Sequence, residues 1–222
     1  MREQRVRRRD PERKGRILEV SAELISQRGY HAVSLADIGA AAGIVGSGIY
    51  RHFSSKQAIL AELLAEVMQR LETGAADITA RFPDDREALT ALVRHHVKVA
   101  VQDRDVLRVY HTELPNLGEE DRRRLRRAQR RYIEQWVSVA APLRRDLADA
   151  EVRLTAHAAI GAIQSILFHN LGLREERMVE LLDGMAHDCL GVPAATGVPE
   201  WPPAAVDSAA PTEAAISEPS IT

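Results

Sequence analysis

The sequence is poor in the features that mark several protein classes. It has one cysteine, Cys189, so no intrachain disulfide can form, and its Cys and His spacings suit no zinc site. No stretch reaches the about 18 uninterrupted apolar residues of a membrane span, and no hydrophobic segment follows the Arg-rich N-terminus as a signal peptide requires. These absences predict a reduced, cytoplasmic setting, with no membrane partner, no metal and no cofactor. Aromatic residues make up 4% of the chain, and β-branched alternation is scarce. Ala, Leu, Arg and Glu instead recur at helical spacing, and 45% hydrophobic residues over a length of 222 can fill a core. The expected fold class is all-α, with no strand.

Catalysis finds little support. His95 and His96 are adjacent and so about 100° apart on a helix. No His pair falls at i, i+3 or i+4, which leaves an HExxH-like site without ligands. Gly43 and Gly48 have the outer spacing of a phosphate loop, but Ile49-Tyr50 stands where Lys and Ser/Thr are needed. Cys189 lies on an apolar helix face and reads as packing rather than a nucleophile. No catalytic residue is assigned, and an enzyme ranks last among the readings.

The formal net charge of −2 hides an asymmetry. Residues 1–56 carry 11 Lys/Arg against 6 Asp/Glu, whereas residues 191–222 carry four acids and no base. The basic end is the one suited to nucleic acid. Residues 1–9 hold five arginines with no apolar face and are expected to be a basic flexible arm, while six prolines and eight alanines mark 191–222 as a disordered tail.

Between them the periodicity predicts a series of helices. Asp10-Pro11 opens the first, with Ile17, Leu18, Leu24 and Ile25 as its apolar stripe and Gly29 as its stop. Ser34 caps a short second helix, with Asp37 placed as in a capping box. A third is expected over about 46–53, and a long fourth begins at Lys56 behind Ser54 or Ser55. Further helices follow Asp84-Asp85, run from about 103 to 113 and from 119 to about 143, and close the chain over 149–171 and 174–190. The last two carry broad apolar faces, and the run Arg122 to Arg131 reads as a solvated face.

The stretch from Ser34 to Lys56 meets the demands of a helix-turn-helix. Gly39 suits the helix crossing, Gly43 the turn, and Ile38, Ile44 and Ile49 lock the angle. Gly46, Ser47 and Gly48 allow close approach to phosphate, and Tyr50, Arg51 and His52 bring a hydroxyl, a guanidinium and an imidazole to the groove. The residues Gly29-Tyr30, Ser34-Leu35, Ile38-Gly39, Ala42-Gly43-Ile44, Gly48-Ile49-Tyr50-Arg51-His52-Phe53 and Ser55-Lys56 closely resemble the DNA-binding domain of the TetR/AcrR family of bacterial transcriptional regulators. The likeness covers about residues 14–64.

That resemblance implies an N-terminal three-helix helix-turn-helix domain over 10–55 and a helical ligand-binding and dimerisation domain over 56–190. It implies nine or ten helices and a homodimer joined through about 149–190. The partner is double-stranded operator DNA, read as a palindrome with half-sites about 34 Å apart. The function implied is a ligand-responsive regulator, in most relatives a repressor, released by a small-molecule inducer. Carried over by position, Ser34 and Lys56 look like phosphate contacts, Gly46 to Gly48 with Tyr50, Arg51 and His52 look like the recognition helix, and Ile38, Ile49 and Phe53 like its frame. One position departs from the pattern: Val45 stands where relatives place Ser or Thr, and it can neither cap nor bind phosphate.

For the inducer, His95, His96, Val99, Leu107, Tyr110, His111, Tyr132, Trp136 and Phe168 are candidates to line an apolar cavity with a few polar groups, against the alternative that they are ordinary core. Arg122 to Arg131 could meet an acidic moiety such as an acyl-CoA phosphate, which makes an acyl-CoA or fatty-acid type ligand one expectation. A DNA-binding regulator without small-molecule control remains the alternative.

Overall fold

The structure is a computed structural model that describes residues 11–44, 46–169 and 172–199, without the side chains of Pro11, Glu12 and Ser47. The expected arm 1–9, the cap at Asp10, Val45 and positions 200–222 lie outside the described residues. Among the described residues there are eight α-helices and no strand. They are α1 (Pro11–Arg28), α2 (Leu35–Ala41), α3 (Lys56–Arg81), α4 (Asp85–Gln102), α5 (Arg104–Glu113), α6 (Glu119–Ala140), α7 (Asp149–Gln164) and α8 (Glu175–Leu190). A 3₁₀ helix at Gly46–Arg51 lies between α2 and α3.

Local chemistry sets most boundaries. Ser55, not Ser54, caps α3 by accepting from Ala58 N–H at 3.1 Å, and Asp84 caps α4 through Arg86 and Glu87 N–H. Gly29 and Gly43 end α1 and the α2 turn at φ +81° and +68°, a left-handed conformation that L side chains resist. The expected third α-helix over 46–53 is instead 3₁₀ over Gly46–Arg51. Two glycines in six residues cost a helix roughly 1 kcal/mol each, and an α-helix this short has few bonds to offset that.

Packing then places the elements. α1 docks through Ile17, Leu18 and Ile25, all buried, each contributing about 1.5–3 kcal/mol. Its half-exposed Lys14–Glu62 ion pair contributes about 0–1 kcal/mol, so apolar burial decides where α1 sits. α3 buries Leu63, Leu64, Val67, Leu71 and Ile78 and passes from α1 to α4, α5 and α6. The core is contiguous, with Trp136 of α6 fully buried in it.

One expectation needs correction. The tail does not begin at Gly191, because residues 191–199 fold back on α4 with Val192 and Val198 buried. The apolar face of the last helix is divided: Leu182 and Ala186 are buried, whereas Leu181 and Met185 are exposed.

Gly43 has open space around its missing side chain, so Gly43→Ala isolates the backbone cost. It should lose about 1–2 kcal/mol in urea unfolding. Gly15→Ala, in the open interior of α1, should gain roughly 0.5–1 kcal/mol in the same assay.

Candidate nucleic-acid interface and helical body

Ser34 builds the first part of the site. Its hydroxyl accepts from Asp37 N–H at 3.1 Å, and Asp37 Oδ2 accepts from Ser34 N–H at 2.8 Å and from its hydroxyl at 2.5 Å. This is the expected capping box, and the Ser34 hydroxyl keeps Asp37 below the usual carboxylate range. α2 then returns through Ile44 N–H to Gly39 O at 2.8 Å. Gly48 has to be small, because a Cβ there would stand 2.6 Å from Ile44 Cγ2. Ile38, Ile49 and Phe53 are buried beneath, as expected of the frame.

On this frame Tyr50 is 60% exposed, Arg51 is exposed and His52 is half-buried. The three expected readers therefore share one short segment, with Tyr50 and Arg51 free to meet a surface. Tyr50 also borders a shallow groove with Leu35, Ala36, Ala40 and Ile44.

Lys56 differs from expectation. Its ammonium donates to the carbonyls of Tyr30 and Val33, both at 2.6 Å, and lies 4.1 Å from the centroid of the Tyr30 ring. Two of its three N–H donors and its cation–π face are thus committed within the fold, so the phosphate contact expected of it is not the job the structure gives it. It staples the α1–α2 loop to the start of α3.

That loop is also held from the other side, by residues the sequence reading missed. Glu113, at the end of α5, accepts from Tyr30 N–H at 3.3 Å with one oxygen and from Asn116 Nδ2 at 2.6 Å with the other. Ser26 of α1 donates to Asp105 of α5 at 2.7 Å. Burial and Glu113 together push the Tyr30 phenol up. These partners lie 79 and 83 residues apart in sequence, so no local spacing announces them.

The nine inducer candidates do not converge on one cavity. His96, Tyr132 and Trp136 form a packed group, with ring centroids 5.7–6.2 Å apart. Outside it, Tyr110, His111 and Phe168 form a second aromatic set, in which Phe168 is exposed. Leu107 and Val109 are buried on the same helix, α5. His95 turns to the opposite side of α4, where with Val99 it borders a cleft against α3 and packs on Gly74. Adjacency on a helix separates His95 from His96 as the sequence predicts.

Gln164 joins the two aromatic sets. Its amide nitrogen is 3.3 Å from His96 Nε2 and its oxygen 3.1 Å from His111 Nε2, while His96 Nδ1 is 2.7 Å from the Tyr132 hydroxyl. Gln164 donating to His96 and accepting from His111 leaves His96 Nδ1–H to donate to Tyr132. The chain spans α6, α4, α7 and α5 and requires a neutral His96. Burial, reinforced by His95 and His111, lowers the His96 pKa to about 3, and burial raises Tyr110 to about 12. A lone Gln among Ile160, Ile163, Ile166 and Leu167 was the sequence signal for this group.

The arginine run divides. Arg122 and Arg123 pair with Glu119, and Arg131 pairs bidentately with Glu72 of α3 at 2.8 and 3.1 Å. Arg124, Arg126, Arg127 and Arg130 are exposed.

Fold and site together define a helix-turn-helix module carried by an all-helical body. The sequence profile of bacterial regulatory proteins of the tetR family matches residues 17–63, and that of the tetracyclin repressor-like C-terminal domain matches 83–167. The chain belongs to the TetR family of bacterial regulatory proteins, and so stands among regulators rather than enzymes. It is 29% identical over 128 residues to the HTH-type transcriptional repressor KstR2 of Rhodococcus jostii (strain RHA1), covering 57% of this chain and 63% of that one. The match thus spans under two thirds of that relative's length. The fold is shared with a TetR-family transcriptional regulator from Bordetella parapertussis 12822, at TM-score 0.68 and 23% identity over 76% of this chain and 93% of that one. It is shared as well with AibR, solved in complex with isovaleryl coenzyme A and operator DNA, at TM-score 0.66 and 22% identity over 78% of this chain and 97% of that one.

Lys56→Met should lower the unfolding free energy in urea by about 1.5–3 kcal/mol, the range for hydrogen bonds to a charged group. A Lys56 that served only phosphate would leave it unchanged. For His96, the folded-state pKa is depressed, so its contribution is complete above pH 6.5 and is lost as the pH falls toward about 3. At pH 5 the loss should be about 2 kcal/mol relative to pH 7.5, and His96→Gln should remove that part of the pH dependence of unfolding.

Proposed function

We propose that this protein is a ligand-responsive transcriptional repressor that binds a palindromic operator as a homodimer and is released by a small molecule. The observation that carries this reading is the exposed Tyr50-Arg51 pair, held on a segment braced by Ile38, Ile49 and Phe53, inside the region that matches the family profile. Arg51 offers a fork of donors suited to a guanine edge, and Gly46 to Gly48 let backbone approach phosphate. Ser34 spends its N–H and its hydroxyl on Asp37, and Lys56 two donors on the carbonyls of Tyr30 and Val33, so both support this segment and neither is assigned a phosphate contact.

A homodimer through 149–190 is supported by the face that α7 and α8 leave uncovered. Leu154, Ala158, Gly161, Ser165 and Phe168 recur every three or four residues and are exposed, Leu154 by 69%, with Leu181 and Met185 on α8. Such a stripe is self-complementary around a two-fold axis, with small residues at Ala158 and Gly161 allowing close approach.

The effector acts on the α4–α7 body. An acyl-CoA or fatty-acid type ligand is supported by AibR, whose structure contains isovaleryl coenzyme A, and by the exposed guanidinium groups of Arg124, Arg126, Arg127 and Arg130. The reading involves no other cofactor and no membrane partner, and it places the protein in the cytoplasm, on the nucleoid when bound to DNA. A second reading, a regulator without small-molecule control, is favoured by the way His96, Tyr132 and Trp136 fill their own space. Native mass spectrometry of the purified protein separates the two, since a co-purifying ligand belongs to the first alone.

In a mobility-shift assay with its own promoter region, the protein should form a competitor-resistant complex that weakens as salt rises. Arg51→Ala should weaken the specific complex by about 1–3 kcal/mol while leaving non-specific binding close to unchanged. The absence of any competitor-resistant complex would overturn the reading.

A further inference from the structure

Beyond α8 the chain turns back along α4 as a strap over residues 191–199, fixed at three points. His187 Nδ1 is 2.8 Å from the carbonyl of Val192, Ala195 N–H donates to Thr90 Oγ1 at 2.9 Å, and Arg94 Nη1 donates to the carbonyl of Val198 at 2.7 Å. Val192 and Val198 are buried. Arg94 also faces a second acceptor, on α8.

That acceptor is Asp183. Its Oδ1 is buried and takes no hydrogen bond, because Arg94 Nε stands 3.8 Å away, an ion pair too long for one. A buried carboxylate oxygen without a donor is costly, yet the guanidinium beside it is drawn to the strap. The two demands conflict because a guanidinium is a planar fork that moves as one body. Bringing Nε to the roughly 2.9 Å of a hydrogen bond shifts the fork by about 1 Å, enough to take its 2.7 Å bond to Val198 out of range.

Beside this pair α4 and α8 leave a cleft of about 430 Å³, with Arg94, Val97, Val101, Val179 and Asp183 among its lining. Val101 and Val179 are only half-buried, so drawing α8 toward α4 would cover more of both. Charge attraction and apolar burial both favour closing the cleft.

We propose that Arg94 is a two-position switch between the strap and α8. With the strap docked it serves the Val198 carbonyl and the α4–α8 cleft stays open; with the strap undocked it closes on Asp183 and draws the two helices together. Strap docking and the Arg94–Asp183 pair therefore oppose one another, and Asp183 works against the strap rather than bracing it. Every part of this switch lies on α4, α8 and the strap, so it stands independently of the regulatory function proposed above.

Amide exchange followed by NMR on the full chain separates the two roles of Asp183, because the Ala195 N–H is protected while it is bonded to Thr90. Asp183→Ala should slow its exchange several-fold, since Arg94 loses its competing partner, and Arg94→Met should speed it several-fold. Asp183→Ala made on top of Arg94→Met should add nothing further. In the reverse direction, Ala195→Pro deletes the strap's N–H donor, and the Arg94 Nε–H should then become protected, a protection that Asp183→Ala removes. An unchanged resonance from the buried Trp136 indole shows that each variant is folded. Faster or unchanged exchange at Ala195 in Asp183→Ala would make Asp183 a brace or a bystander and overturn the proposal. A slowing that persists without Arg94 would overturn it too, as would an Arg94 Nε–H that stays unprotected in Ala195→Pro.

Discussion

The Lys56 ammonium bonded to the carbonyls of Tyr30 and Val33 is the contact on which the placement of the helix-turn-helix depends. The loop that leaves α1 at Gly29 has no helix of its own to satisfy its backbone, and its carbonyls need a donor. Lys56 supplies two N–H groups from the first residue of α3, so the same residue that starts the long helix fixes the loop that leads into α2. The Tyr30 ring under the ammonium adds a further attraction at 4.1 Å. An apolar residue at position 56 would leave two carbonyls without partners, and an arginine would place its donors in a different geometry.

Through Tyr30 the same loop is tied to α5. Glu113 holds its N–H, Ser26 and Asp105 add a second tie, and α5 then carries Tyr110 and His111 into the helical body. His111 meets Gln164, Gln164 meets His96, and His96 meets Tyr132. A continuous set of packed and hydrogen-bonded groups therefore runs from the loop before α2 to the centre of the helical body. Burial keeps His96 neutral, which keeps this set in one arrangement at ordinary pH.

Much of the architecture was legible along the chain, because helix-forming signals are local. Ser34 with Asp37, Ser55 ahead of Lys56, Asp84 ahead of α4, and glycines at 29 and 43 each act within three or four residues of themselves. The frame of the helix-turn-helix was legible for a similar reason: Ile38, Ile49 and Phe53 are apolar where a turn between short helices has to be filled, and all three are buried. The segment at Gly46–Arg51 was read as an α-helix and is 3₁₀, since an apolar pattern cannot distinguish the two when the helix is only six residues long. The strap at 191–199 was hidden by its Pro-Ala composition, which says nothing of Thr90 and Arg94 waiting on α4.

The sequence by itself determined the helices, the turn glycines, the caps and the kinship, because these rest on periodicity and on contacts between near neighbours. Only the tertiary structure decided what the polar side chains do. Lys56 became a staple rather than an exposed cation because the carbonyls of Tyr30 and Val33 come to it. His95 and His96 parted company because successive residues leave a helix in different directions, one toward Gly74 of α3 and one toward Tyr132 of α6. Glu113 and Gln164 acquired their roles from partners 83 and 53–68 residues away. A hydrogen bond is directional and short, so the partner of a polar group is settled by the folded path of the chain and not by its neighbours in sequence.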